Sequence, residues 1–231
     1  MSLTRVGTSG YSYSWNKGSP TPFQWYLSQG FNSVEINASF YRFPSEGWIR
    51  TWLSSPEDFT FSIKVHRSIT HFTRLREKSL ELWKKFRQSL RVLEGEGKID
   101  FWLFQMPSNY NYSQENLESV KIFLQSINLG DKAVLEFRDP LWWNAVDQIS
   151  SLGAAYCSVS APSLPDVLVP ANNVVYLRLH GSKEWYKTIY SEEELDEIIL
   201  RLKEAKVKKK ATYLNNDHGM LKNGRYILEH L

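Results

Sequence analysis

Much that would narrow the chemistry of this chain is missing from its sequence. A single cysteine, Cys157, stands among 231 residues, so the chain can build neither a disulfide framework nor a paired-cysteine metal site of its own. Its apolar neighbours Ala154, Ala155 and Tyr156 predict a buried, inert thiol. No window approaches the ~18 uninterrupted apolar residues of a membrane span. Met1-Ser2-Leu3-Thr4-Arg5 lacks the apolar region of a signal peptide. Together these predict a soluble, cytoplasmic protein without a membrane partner. Charge of one sign is also scarce: 28 basic residues against 25 acidic ones leave a formal net charge of +3, too mild to imply nucleic acid from bulk charge. The run Lys206–Lys210 (KVKKK) reads as a solvated helix end ahead of the last strand. No Gly-x-Ser-x-Gly elbow, Walker loop or His-Glu-x-x-His motif occurs, so a hydrolytic serine triad is not supported.

What is present is an apolar and aromatic chain, 42% hydrophobic and 14% aromatic, with enough core-forming residues to exclude disorder as its main state. Short β-rich runs begin near Arg5, Ser33, Phe59, Asp100, Lys132, Ala154, Val174 and Ala211. Helical patterns separate them. Leu195, Ile198, Ile199 and Leu202 form one apolar stripe, opened by a Ser191/Glu194 capping box. Leu82, Phe86, Leu90 and Leu93 form another. Alternating strands and helices imply a parallel sheet, and eight repeats imply closure into an α/β barrel of the (β/α)8 TIM type. No linker interrupts residues 1–231, which predicts a single domain. The stretch Ala161–Pro170 is too short and too proline-rich for a full helix, so the sixth helix should be short or missing. The alternative fold is an open doubly wound sheet, but Gly7-Thr8-Ser9-Gly10 does not fit its phosphate-loop fingerprint.

Strand side chains alternate between faces, and the helix-facing side must be apolar. Phe61, Ile63 and Val65 therefore face the helices, leaving Thr60, Ser62, Lys64 and His66 inside. The same test turns Glu35 and Asn37 inward, with Tyr176, Arg178 and His180. Gln105, Glu136, Arg138, Asn215 and Asp217 follow by weaker phasing. All lie near the C-terminal ends of their strands, where barrels of this class carry their active sites. Glu35, Lys64, Glu136, Arg138 and Arg178 are expected to converge in one pocket. A buried ion-pair layer is the structural alternative, but apolar packing usually matches or beats buried ions for stability. Aromatic residues after the strands, among them Tyr11, Tyr13, Trp15, Tyr41, Trp142, Trp143, Trp185 and Tyr186, offer a stacking wall or simply cap the barrel mouth.

The residues so assembled have a familiar pattern. Val6-Gly7-Thr8-Ser9-Gly10-Tyr11, Val34-Glu35-Ile36-Asn37 leading to Phe40-Tyr41-Arg42, Ser68-Ile69-Thr70-His71, Phe104-Gln105-Met106-Pro107, Leu135-Glu136-Phe137-Arg138-Asp139-Pro140 with Trp142-Trp143, Tyr176-Leu177-Arg178-Leu179-His180-Gly181 and Asn215-Asn216-Asp217 resemble, in order, the blocks of the domain-of-unknown-function 72 family. The resemblance covers essentially the whole chain. It implies a barrel of triosephosphate-isomerase type, similar to those of metal-dependent apurinic-site endonucleases and sugar isomerases, and it supplies no reaction. Where members typically carry Asp after the sixth strand, this chain reads Val159-Ser160-Ala161-Pro162. That departure weakens any role needing a carboxylate there.

Three functional readings follow. In the first, an enzyme holds a small anionic, sugar-like substrate, phosphorylated or carboxylated, on Lys64, Arg138 and Arg178. Glu35 or Glu136 is then the general base and His180 the acid or orienting donor. Asn37, Gln105, Asn215 and Asn216 read hydroxyls, with Tyr41, His71, Trp143 and Asp217 completing the binding set. In the second, Glu35, Glu136, His180 and Asp217 ligate a divalent ion for cleavage of nucleic acid, although Lys64, Arg138 and Arg178 oppose a cation there. In the third, the same pocket binds a ligand without catalysis. The first is favoured, with no metal and no cofactor expected.

Overall fold

The alternating β-rich and amphipathic stretches become eight parallel strands with helices between them in the computed structural model, which describes residues 3–231. The strands are β1 (Leu3–Thr8), β2 (Ser33–Ile36), β3 (Thr60–Lys64), β4 (Ile99–Gln105), β5 (Ala133–Glu136), β6 (Ala155–Ser160), β7 (Val174–Leu179) and β8 (Lys209–Leu214). Their order in the sheet is β1-β8-β7-β6-β5-β4-β3-β2. An isolated parallel bridge between Ser9 and Glu35 joins the two ends of that order. The architecture is the α/β TIM-type barrel that the alternation predicts. The helices are α1 (Pro22–Leu27), α2 (Glu46–Leu53), α3 (Lys78–Ser89), α4 (Arg91–Gly95), α5 (Gln114–Ile127), α6 (Val146–Ser150), α7 (Glu192–Glu204) and α8 (Met220–His230). Residues 161–173 contain no helix, as the three prolines there predict. No helix among the described residues is long and apolar enough to cross a membrane.

The chain forms two compact units, Met1–Glu35 with Cys157–Leu231, and Ile36–Tyr156. In the first, the seam between β1 and β2 is held by side chains. Asn32 accepts from the Val6 amide (2.9 Å) and donates to the Thr4 carbonyl (3.0 Å). The buried Tyr26 hydroxyl accepts from the Thr8 amide and donates to the Ser33 carbonyl, both at 3.0 Å. Gly7 sits so close to Ser33 that a Cβ there would lie 2.2 Å from its carbonyl oxygen, which explains glycine at this position. The Ser191/Glu194 capping box starts α7, and Leu195, Ile198, Ile199 and Leu202 are its buried stripe. Strand β8 starts two residues before the expected Ala211, so Lys209 and Lys210 belong to it rather than to a helix end.

In the second unit the stripe of α3 and α4 runs through Trp83, Phe86, Leu90 and Leu93, with Leu82 only half-buried. Trp83 replaces it because the indole reaches Trp102 (ring centroids 5.0 Å) and Phe104 (5.3 Å) on β4. Lys98, 8% exposed, is a buried lysine satisfied by carbonyls alone. Its ammonium donates to Pro56 (2.5 Å), Glu57 (3.0 Å) and Phe59 (3.4 Å), closing the turn that feeds β3.

Candidate functional site

At the C-terminal end of the first unit's strands lies a buried polar network centred on Glu35. Its Oε1 accepts from Arg178 Nη2 (2.7 Å) and Ser9 Oγ (2.8 Å), and its Oε2 accepts from the Tyr176 hydroxyl (2.7 Å). Glu35, Arg178 and His180 are all fully buried. Arg178 Nη1 lies 3.1 Å from His180 Nε2. A guanidinium has no acceptor, so Nε2 must accept and the ring proton sits on Nδ1. Asn215 Nδ2 lies 3.0 Å from Nδ1; with Nε2 accepting from Arg178, that amide has to be turned end for end so that its oxygen meets the Nδ1 proton, a choice of ends that only such a network distinguishes. The chain Tyr176–Glu35–Arg178–His180–Asn215 thus has defined donors and acceptors throughout, with both carboxylate oxygens occupied.

The second unit carries a different arrangement. Glu136 is fully buried at the end of β5 and pairs with Arg138 at 2.5 Å. Gln105, beside Glu136 in the parallel register, donates to the Met106 carbonyl (3.1 Å). Lys64 ends β3 with its ammonium 4.3 Å above the Phe40 ring. Directly after β3 the chain makes a π-helical turn, Ser68–Phe72, followed by two left-handed non-glycine residues, Arg74 (φ 51°) and Leu75 (φ 57°). Such turns and such backbone conformations concentrate at functional sites. The turn projects His71, whose ring meets the Phe40 edge at 4.8 Å and whose Nδ1 lies 2.9 Å from Thr70 Oγ1. Burial, then the cations Lys64, Arg74, Arg138 and Arg67, push the His71 pKa down from 6.5 to about 4. His71 is therefore a neutral imidazole among four cations at neutral pH.

The other expected site residues are placed as follows. Asn37 follows β2 at the start of a 3-10 turn (Ala38–Phe40), and Tyr41 ends that turn 65% exposed. Trp143 lies half-buried in a 3-10 segment (Pro140–Ala145), edge-on to Tyr156 at 5.4 Å. Asn216 is fully buried, and its amide nitrogen donates to the Thr188 carbonyl (2.9 Å) and Asn223 Oδ1 (2.8 Å), tying down the β7–α7 loop. Asp217 is half-buried in a turn after β8 with left-handed backbone (φ 45°). One inward placement needs correction. His66 does not continue the inward alternation, because β3 ends at Lys64; its ring packs on Phe43 (4.8 Å) and Phe86 (6.3 Å). Trp142 is core, stacked 3.9 Å from Phe137 with its indole N–H donated to the Tyr110 carbonyl (2.8 Å). Arg67, Phe72 and Arg74 were not anticipated, since irregular loops carry no periodic signal; only their position just after a strand end marks them. Among the described residues no group of three or more His, Cys, Asp or Glu side chains is arranged to hold a metal ion.

The chain superposes on a DUF72 family protein from Thermotoga maritima MSB8 with a TM-score of 0.88 at 25% identity, covering 98% of each chain. A DUF72 family protein from Enterococcus faecalis V583 gives 0.80 at 20% identity, over 99% of this chain and 97% of the other. The Pseudomonas stutzeri endoglucanase Cel5A shares the fold alone, with a TM-score of 0.51 at 10% identity over 99% and 94% of the two chains. No curated protein matches the chain. Residues 5–223 match the family described as "Protein of unknown function DUF72", and the chain belongs to that family.

Proposed function

We propose that the chain is an enzyme that takes a small anionic, hydroxylated molecule at the C-terminal ends of β3 to β5. The observation that carries this reading is the cationic strand end itself, where the Lys64 ammonium lies 4.3 Å above the Phe40 ring and the His71 ring meets that same ring at 4.8 Å, with burial and then the positive charges of Lys64, Arg74, Arg138 and Arg67 lowering the His71 pKa. Glu136 pairs with Arg138 at 2.5 Å, and Lys64, Arg74, Arg138 and Arg67 all act electrostatically on the imidazole. Positive charge gathered in this way attracts an anion, and guanidinium forks favour planar, bidentate oxygen groups.

General acid/base duty belongs to His71 in this reading. A neutral, half-buried imidazole can accept a proton, and a bound anion would raise its pKa toward neutrality. Glu35 and His180 act differently. Their acceptor sites are already taken by Arg178, Ser9 and Tyr176, so they position Arg178 and shape the strand ends. Glu136 likewise orients Arg138.

The test is thermal unfolding in phosphate against chloride at matched ionic strength. Phosphate should stabilise the protein as RT ln(1 + [L]/Kd), about 2.7 kcal/mol at a hundredfold excess over Kd. Lys64→Met should lose that response. Equal melting in both salts for the unsubstituted protein would remove the basis for an anion site.

A further inference from the structure

Two large aromatic rings on the second unit stand mostly in solvent. Tyr41 is 65% exposed and Phe72 is 69% exposed. They come from different loops, Tyr41 from the end of the 3-10 turn after β2 and Phe72 from the π-turn after β3. Both rings face the same cation. The guanidinium carbon of Arg67 lies 5.8 Å from the centroid of Tyr41 and 5.6 Å from that of Phe72. Exposed rings of this size normally find apolar cover, and here each is covered in part by a guanidinium. Arg67 also belongs to the set of cations around His71, which immediately precedes Phe72 in sequence.

The surface therefore joins flat π-faces to concentrated positive charge within one loop pair. A carboxylate or phosphate alone would use the charge and leave the rings idle. A sugar phosphate would use the charge and press only C–H bonds on them. A nucleotide uses both, because its base stacks on aromatic rings and on guanidinium planes while its phosphate seeks the cations. We propose that the anion taken at the His71 cluster is the phosphate of a nucleotide whose base stacks on Tyr41 and Phe72 beside Arg67. This rests on the anion-site reading above and names its ligand class.

The experiment compares binding of inorganic phosphate, ribose 5-phosphate, AMP and a short single-stranded oligonucleotide by calorimetry, with the full chain. AMP should bind roughly tenfold or more tighter than ribose 5-phosphate, the size of one base-stacking contribution. In the Tyr41→Ala/Phe72→Ala double variant, with its fold checked by circular dichroism, AMP should fall to the level of ribose 5-phosphate. Phosphate binding should stay unchanged. A tighter oligonucleotide would assign the ligand to a strand, and an equal one to a free nucleotide. Equal affinities of AMP and ribose 5-phosphate in the unsubstituted protein would overturn the proposal while leaving the anion site standing. A double variant that lost phosphate and AMP in equal measure would also overturn it, and failure of phosphate to bind at all would remove the anion site itself.

Discussion

Arg178 shows what a fully buried charge requires. Its guanidinium would be expensive to desolvate alone, and Glu35 and His180 offset that cost with a close ion pair and a nitrogen acceptor. Removing one partner strands the other, so Arg178→Met and Glu35→Gln should each cost about 3–5 kcal/mol in denaturant unfolding. A loss under ~1 kcal/mol in both would mean that water already reaches the pair. His71 makes a prediction of the opposite kind, in pH. Its folded pKa, about 4, lies below the ordinary 6.5. Between those values the unfolded chain takes up a proton that the folded chain refuses. Its contribution to stability is thus complete above pH 6.5 and is lost as pH falls from 6.5 toward 4. His71→Gln should unfold with a shallower pH dependence in that window, and an unchanged slope would contradict the depressed pKa. The inward residues Glu35 and Arg178 were legible from strand alternation alone. Their pairing was not, because it joins residues 143 apart in sequence through a register that no single strand encodes.

Elements differ in how plainly the sequence announces them. The buried stripe of α7 is written at helical spacing and its capping box is local, so both were readable. In α3 the choice between Leu82 and Trp83 was not, since either spacing to Phe86 suits a helix and only the aromatic wall of β4 decides. The loop from β3 to α3 has no period at all. Its π-turn and the consecutive left-handed Arg74 and Leu75 are held by the Leu75 amide donating back to the Ile69 carbonyl (3.1 Å) and by Arg74 Nη2 donating to Asn109 Oδ1 (3.1 Å). Left-handed backbone costs a non-glycine residue on the order of 1–3 kcal/mol, and this loop carries it twice beside His71. Arg74→Gly relieves one instance, so the protein should be as stable or up to ~1 kcal/mol more stable. Phosphate should stabilise that variant less, because one cation is gone. Thermal melts in chloride and in phosphate measure both effects. A variant that became less stable while keeping its phosphate response would show that the loop is not strained at Arg74.

Joining the ends of an eight-strand order requires β1 to lie against β2, and the two meet with little conventional ladder. The bridge at Ser9 and Glu35 stands at the C-terminal end. Below it, Asn32 and the Tyr26 hydroxyl supply the donors and acceptors that a neighbouring backbone would otherwise provide. This arrangement tolerates no side chain at Gly7, because backbone rather than a movable group fills the space a Cβ would take. The same seam sets the position of Glu35 relative to Ser9, so the buried network depends on it. The sequence displayed Gly7 inside a recognisable block without revealing that β2 lies against it. Gly7→Ala should therefore destabilise by more than ~4 kcal/mol, the range reserved for a forced backbone shift or a broken buried network. Tyr26→Phe keeps the ring and orphans the Thr8 amide and the Ser33 carbonyl, at about 1–3 kcal/mol for each group left unpaired. Gly95→Ala serves as the control: its Cβ would meet nothing within 4 Å at the end of α4, so it should be neutral or stabilising by up to ~1 kcal/mol. Denaturant unfolding of the three variants tests the order. If Gly7→Ala unfolded within about 1 kcal/mol of Gly95→Ala, β1 and β2 could part without penalty, and closure at this seam would not be what holds Glu35 in place.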